Sequence, residues 1–162
     1  MKPTIEQQKI LYEFYKLLHG SGFELMKKRS VMTAVLGYER WSWRVVGITE
    51  DAVCAIALNN FRKPSRQLAR DHTQSRAMTY TRIFEGKVLP FRTWWEWVWE
   101  HDKTTLMTND EHHSREVSKV YSIDPALGLF QSTGLAGWYH AKSKEGAFVK
   151  ALIELHKINI GT

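Results

Sequence analysis

Lys103-Thr104-Thr105-Leu106-Met107-Thr108-Asn109-Asp110-Glu111-His112-His113 changes character at its sixth residue. Lys103 to Met107 is β-branched and apolar, which predicts a short strand. Thr108 suits a helix N-cap because its hydroxyl can accept from a free amide two or three residues on. After Asn109, Asp110 and Glu111 place acidic groups in a first turn, where the helix dipole favours them. The stretch therefore predicts a strand that runs directly into a helix.

The flanks extend this alternation. Pro90 to Glu100 (Pro-Phe-Arg-Thr-Trp-Trp-Glu-Trp-Val-Trp-Glu) predicts a helix capped by Thr93, with Trp94 and Trp97/Val98 as a core-facing stripe and Glu96 and Glu100 in water. Four tryptophans also invite a base-stacking reading, which the two acidic neighbours oppose. Ile5 to His19 carries apolar residues at helical spacing, and Gly20 and Gly22 end it. Val31 to Gly47, with Trp41, Trp43, Val45 and Val46, predicts strand or irregular core. Thr49-Glu50-Asp51 opens a helix that reaches about Asn60. Val120–Ile123 and Gly128–Gln131 read as a hairpin around Asp124-Pro125, and Gly146 to Ile158 as a last helix. The fold class is α+β, in a single domain over residues 1–162.

Composition narrows the class of protein. The chain has 162 residues, 43% of them hydrophobic, which suffices for an ordinary core and excludes a disordered polymer. The longest uncharged run, Pro125 to Ala141, holds three glycines and Gln131, Ser132 and Thr133, so no membrane span is predicted. Glu6, Gln7 and Gln8 stand where an export signal needs an apolar stretch, which predicts a cytoplasmic protein. A lone Cys54 excludes an internal disulfide framework.

Net charge is +6, and it is unevenly placed. Residues 61–87 hold seven Lys/Arg against Asp71 and Glu85, a surplus of +5. Five of the seven are arginine, whose planar fork matches phosphate. A solvated basic face is one reading of this segment, and polyanion binding is the other. Gly137 to Lys144 mixes aromatics with lysines, and reads either as a nucleic-acid contact or as a hairpin edge kept soluble by charge.

Two clusters carry chemistry: Arg70-Asp71-His72 inside the basic segment, and Thr108 to His113 at the strand-to-helix junction. An aspartate and a histidine on element ends can hold one divalent cation through oxygen and imidazole. Few protein ligands leave positions open for water and phosphate oxygens. His72, beside Asp71, would then be free to take a proton from water.

In order and setting these clusters resemble the HNH nucleases, in particular small phage-encoded and homing-type members built on a ββα-metal finger. Arg70-Asp71-His72 matches the family's opening Asp-His, and Thr104 to His112 its second strand and helix, so the likeness spans about residues 66–116. The resemblance implies a divalent-metal-dependent DNA endonuclease with double-stranded DNA as partner, in a bacterial or phage-infected cell, acting as a monomer or homodimer. It implies one divalent ion, commonly Mg2+ with Mn2+ or Zn2+ as alternatives, held by Asp71 and by His112 or His113. His72 would be the general base, oriented by Asp102 or Asn109. Lys63, Arg66, Arg70, Arg76 and Arg82 would hold phosphates of the strand. The separation of 40 positions from His72 to His112 makes the Trp-rich helix an insertion within the finger. A non-catalytic basic nucleic-acid-binding protein is the alternative.

Overall fold

The computed structural model describes residues 2–64, 66–134 and 137–161. It is a mixed α+β structure with a four-stranded sheet, as the strand-to-helix alternation predicts. β1 (Arg44–Thr49) and β3 (Lys103–Thr108) run parallel at its centre. β2 (Leu68–His72) pairs antiparallel with β3, and β4 (Val120–Ser122) antiparallel with β1, giving the order β2-β3-β1-β4.

Each central strand runs straight into a helix, and a threonine makes the corner. Thr49 caps α3 (Glu50–Leu58) by accepting from Ala52 N, and Thr108 caps α6 (Asn109–Ser114) by accepting from Glu111 N. Thr108 and Glu111 close a reciprocal capping box. The Glu111 carboxylate then ties the two corners together. It accepts from Thr49 Oγ1 at 2.8 Å, from Thr108 N at 2.8 Å, and from Ser118 N and Oγ at 3.0 and 2.7 Å. Burial raises the Glu111 pKa, but these donors outweigh it and hold the group below its ordinary value.

Two apolar clusters form the core. α3 and α7 (Lys144–His156) pack together over the sheet around Ile48, Ile56, Leu106, Phe130 and Val149. The second cluster joins α1 (Ile5–Gly20), α2 (Leu25–Gly37), α4 (Arg76–Phe84) and α5 (Phe91–His101) around Tyr15, Met32, Leu36, Ile83 and Trp94. Tyr15 stacks on Trp94 with ring centroids 5.3 Å apart, and its hydroxyl donates to Ile83 O. The tryptophan helix is thus core, with Trp94, Trp95 and Val98 buried and Glu96 and Glu100 exposed.

Three local expectations fail. Val31 to Gly37 is helix rather than strand, because Met32 and Leu36, four residues apart, face one way into the second cluster. α5 starts at Phe91 with Pro90 as its N-cap, so Thr93 lies inside the first turn. Val120–Ser122 pairs with β1 instead of Gly128–Gln131, and Pro125–Leu127 is a 3-10 turn ended by left-handed Gly128. The C-terminal aromatic segment contributes β6 (Gly137–Trp138), paired with β5 (Ser132–Gly134). Among the described residues no helix is long and apolar enough to cross a membrane.

Candidate functional site

β2 sends successive side chains to opposite faces, as any strand does, and this separates Asp71 from His72. Asp71, opposite Thr105 in the register, meets α6, which packs on both β2 and β3. Its Oδ1 lies 3.7 Å from His112 Nε2. Its Oδ2 accepts from Arg115 Nη1 at 3.0 Å. The Asp71 and His112 side chains are 31% and 36% exposed, so water reaches both. Arg115 occupies the C-cap of α6 in a left-handed conformation, which turns it back over β2.

Asp71 and His112 supply one hard oxygen and one imidazole nitrogen, a donor pair that suits a singly held divalent cation. Among the described residues no group of three or more His, Cys, Asp and Glu gathers in a metal-holding arrangement. An ion at this pair would therefore fill its remaining positions with water or substrate oxygens, as an open catalytic site requires.

On the other face His72 enters a buried polar cluster. Asp102, at the C-terminal end of α5, accepts from Trp43 N at 2.8 Å through Oδ2 and from Arg76 Nη2 at 2.9 Å through Oδ1. Arg76 Nε donates to His72 Nε2 at 2.9 Å, and its Nη1 donates to Thr33 O at 3.3 Å. The His72 Nε2 to Asp102 Oδ1 separation is 3.7 Å. Burial pushes the Asp102 carboxyl upward, but the charge and hydrogen bond of Arg76 and the Trp43 amide hold it below its ordinary value. Because a guanidinium only donates, His72 Nε2 is an acceptor and the proton of the neutral ring sits on Nδ1.

Trp43 closes this cluster. Its ring lies 4.3 Å from the His72 ring and 4.0 Å from the Arg76 guanidinium. Its φ is 58°, a left-handed value that costs a bulky residue about 1–3 kcal/mol. The carboxylate of Asp102 on its amide, and Thr104 Oγ1 on its carbonyl at 3.1 Å, hold it there.

The structure divides the other candidate residues into inward and outward groups. Arg70 donates to the carbonyls of Trp43 and Gly137, and burial pulls its pKa down to about 10 against the field of Asp102. Lys63 donates to Trp138 O at 2.9 Å and lies over the Trp138 ring. Arg70, Arg76 and Lys63 thus all donate within the protein, to carbonyls, a histidine and a carboxylate, while Lys63 remains exposed. Arg66 and Arg82 are exposed. Asn109 donates Nδ2 to Arg66 O, away from His72, so of the two orienting candidates it is Asp102 that adjoins the imidazole. His113 is exposed with its ring centroid 5.6 Å from that of His112, and it is His112 that faces Asp71.

Trp43 and Arg115 were not among the residues that the sequence singled out. No periodicity marks a left-handed Trp43. Arg115, three residues after His112, carried the weak signal of helical neighbours on one face.

No family model, curated protein or solved structure matches this chain.

Proposed function

We propose that the chain is a divalent-metal-dependent DNA endonuclease whose metal ligands are Asp71 and His112. The observation that supports this most is their convergence: a carboxylate oxygen and an imidazole nitrogen 3.7 Å apart, half-open to solvent, on an antiparallel strand pair followed directly by a helix. A divalent ion there would stabilise charge on a pentavalent phosphorane and on the departing 3′ oxygen. The protein's own part is to hold both ligands on rigid elements, which the Glu111 network achieves by fixing the start of α6 to both central strands. Arg66 and Arg82, with Arg62 and Lys87, are exposed cations of the basic segment and are available to meet a phosphate backbone.

His72, the expected general base, lies on the opposite face of β2 from Asp71, buried with its Nε2 accepting from Arg76. The endonuclease proposal therefore rests on the Asp71–His112 pair and assigns no base from this cluster. A cytoplasmic location in a bacterial or phage-infected cell belongs to the same proposal.

The alternative is a non-catalytic nucleic-acid-binding protein. It is favoured by Arg115, whose guanidinium sits on the Asp71 carboxylate where a cation would bind. Supercoiled plasmid incubated with Mg2+ or Mn2+, beside EDTA, Asp71→Asn and His112→Ala, separates the two. The endonuclease predicts relaxed or linear product only with wild type and metal. Salt-dependent binding without scission, across plasmid, phage and host DNA, would leave the binding protein standing.

A further inference from the structure

A second cluster of cations lies away from the basic segment. Lys2, Arg44, Lys144 and Gln131 border a cleft of about 460 Å3 whose remaining wall is Trp99 and the 3-10 turn ending at Gly128. A smaller adjoining hollow shares Arg44, Gly128 and Gln131 and adds Arg40. Among the described residues no carboxylate lines either one. The neighbouring acids are occupied: the Asp124 carboxylate caps Ala126 N, Glu145 accepts from the amides of Phe130 and Ala141, and Glu100 pairs with Lys103.

Arg44 is the informative member. Its guanidinium lies 3.4 Å from the Trp99 ring centroid, and its Nη2 donates to Trp99 O. Its Nη1 is sealed from water and has no hydrogen-bond partner among the described residues. Sealed in this way, Nη1 does not itself reach a ligand, and what the guanidinium brings to the cleft wall is a fixed positive charge. Burial lowers the Arg44 pKa although Asp102 and Glu100 both act to raise it, in keeping with a cation short of an anion. Gly128 adds a spatial reason. Its φ is 57°, and a Cβ at this position would meet Gln131 Nε2 at 2.6 Å and Lys144 Nζ at 3.9 Å. Two polar donor tips therefore gather over a bare backbone, so closely that a side chain at this position would displace Gln131.

We propose that this cleft binds a phosphate group, gripped by Lys144 and Lys2 beside the fixed charge of Arg44, with Gln131 as a neutral donor. It involves neither Asp71 nor His112, so it stands whether or not the chain cuts DNA. A phosphate could come from a free nucleotide or from a nucleic-acid backbone, and the chemistry of the grip is shared.

Calorimetric titration of the full chain with inorganic phosphate, with adenosine monophosphate and with a short DNA duplex distinguishes the sources. The informative variant is Lys2→Gln/Lys144→Gln, both surface side chains, with circular dichroism to verify folding. Lys9→Gln/Lys27→Gln removes the same charge from elsewhere. Charge-assisted hydrogen bonds of about 1.5–3 kcal/mol each imply at least a tenfold weakening in the first pair. The second pair should bind as wild type does within about twofold. Phosphate and monophosphate binding that falls in this way identifies a free-nucleotide site. Duplex binding that falls beyond the control, with no monophosphate binding, identifies a strand-backbone site. Affinities equal in the two double variants, or no binding of any probe, overturn the proposal.

Discussion

Arg76 Nε lies 2.9 Å from His72 Nε2, and the same guanidinium reaches Asp102 Oδ1 at 2.9 Å. One arginine thus satisfies a histidine and a carboxylate at once, in a site where the His72 and Asp102 side chains are only 9% and 5% exposed. The arrangement depends on all three members. A buried ion pair adds little over an apolar replacement, yet loss of one partner strands a charge.

Arg76→Met is therefore expected to cost about 3–5 kcal/mol, because Asp102 stays ionised without its cation. The double variant Arg76→Met/Asp102→Asn should recover a good part of that loss. Denaturant midpoints of the two singles and the double form the cycle. Additive effects would show that the pair is not energetically coupled.

Acid should unfold the protein through Asp102 and Glu111. Both carboxyls are held below their ordinary values in the folded state. A depressed folded pKa gives stability that is complete above the unfolded value of about 4 and is lost as pH falls through the folded value. Tm should be flat from neutral pH down to about pH 5 and then decline. Asp102→Asn should start lower and fall less steeply over the same range, as read by thermal melts at successive pH values.

Glu111→Gln tests the corner that joins the two central strands. The carboxylate only accepts, and it faces the amides of Thr108 and Ser118 and the hydroxyls of Thr49 and Ser118. An amide group turns one acceptor into a donor and sets it against a backbone N–H. The expected loss is about 1–3 kcal/mol, with hydrogen exchange accelerated first at β3 and α6 if the corner opens locally.

Arg115 competes with any cation at Asp71. Arg115→Ala frees Oδ2, so Mn2+ should bind several-fold more tightly than to wild type, while Asp71→Asn and His112→Ala should each abolish binding. Paramagnetic broadening of the His112 ring resonances gives the readout without reference to cleavage. Weaker Mn2+ binding in Arg115→Ala would remove the pair as a metal site.

The sequence revealed the strand-to-helix corners because their chemistry is local: Thr49 and Thr108 cap helices within three residues of themselves. The pairing of Asp71 with His112 was expected only through the resemblance to the HNH finger; in the structure an antiparallel strand and the helix after its partner bring the two together. The direction of His72, Arg70 and Lys63 was not legible. Strand alternation turned His72 toward Asp102, and the carbonyls that captured Arg70 and Lys63 come from residues 27, 67 and 75 positions away. Such partners are set by tertiary packing. The helix over Val31 to Gly37 was missed likewise, because contact with α4 outweighed the β-branched composition of Val31, Thr33 and Val35.

That inward turn divides the basic segment into cations that meet solvent and cations that support the fold, and salt dependence can tell them apart. Each phosphate contact contributes a slope of about 0.9 in log affinity against log salt on duplex DNA. Arg82→Gln and Arg66→Gln should each leave Tm within a degree or two and reduce the slope by up to about one unit. Lys63→Gln and Arg70→Gln should do the reverse, lowering Tm because the Trp138, Trp43 and Gly137 carbonyls lose their donors, with the slope unchanged in protein that remains folded. Fluorescence anisotropy of labelled duplex across a salt series, beside thermal melts, measures both quantities on the same samples. A slope that drops for Arg70→Gln with Tm intact would mean that this guanidinium leaves its carbonyls to meet DNA.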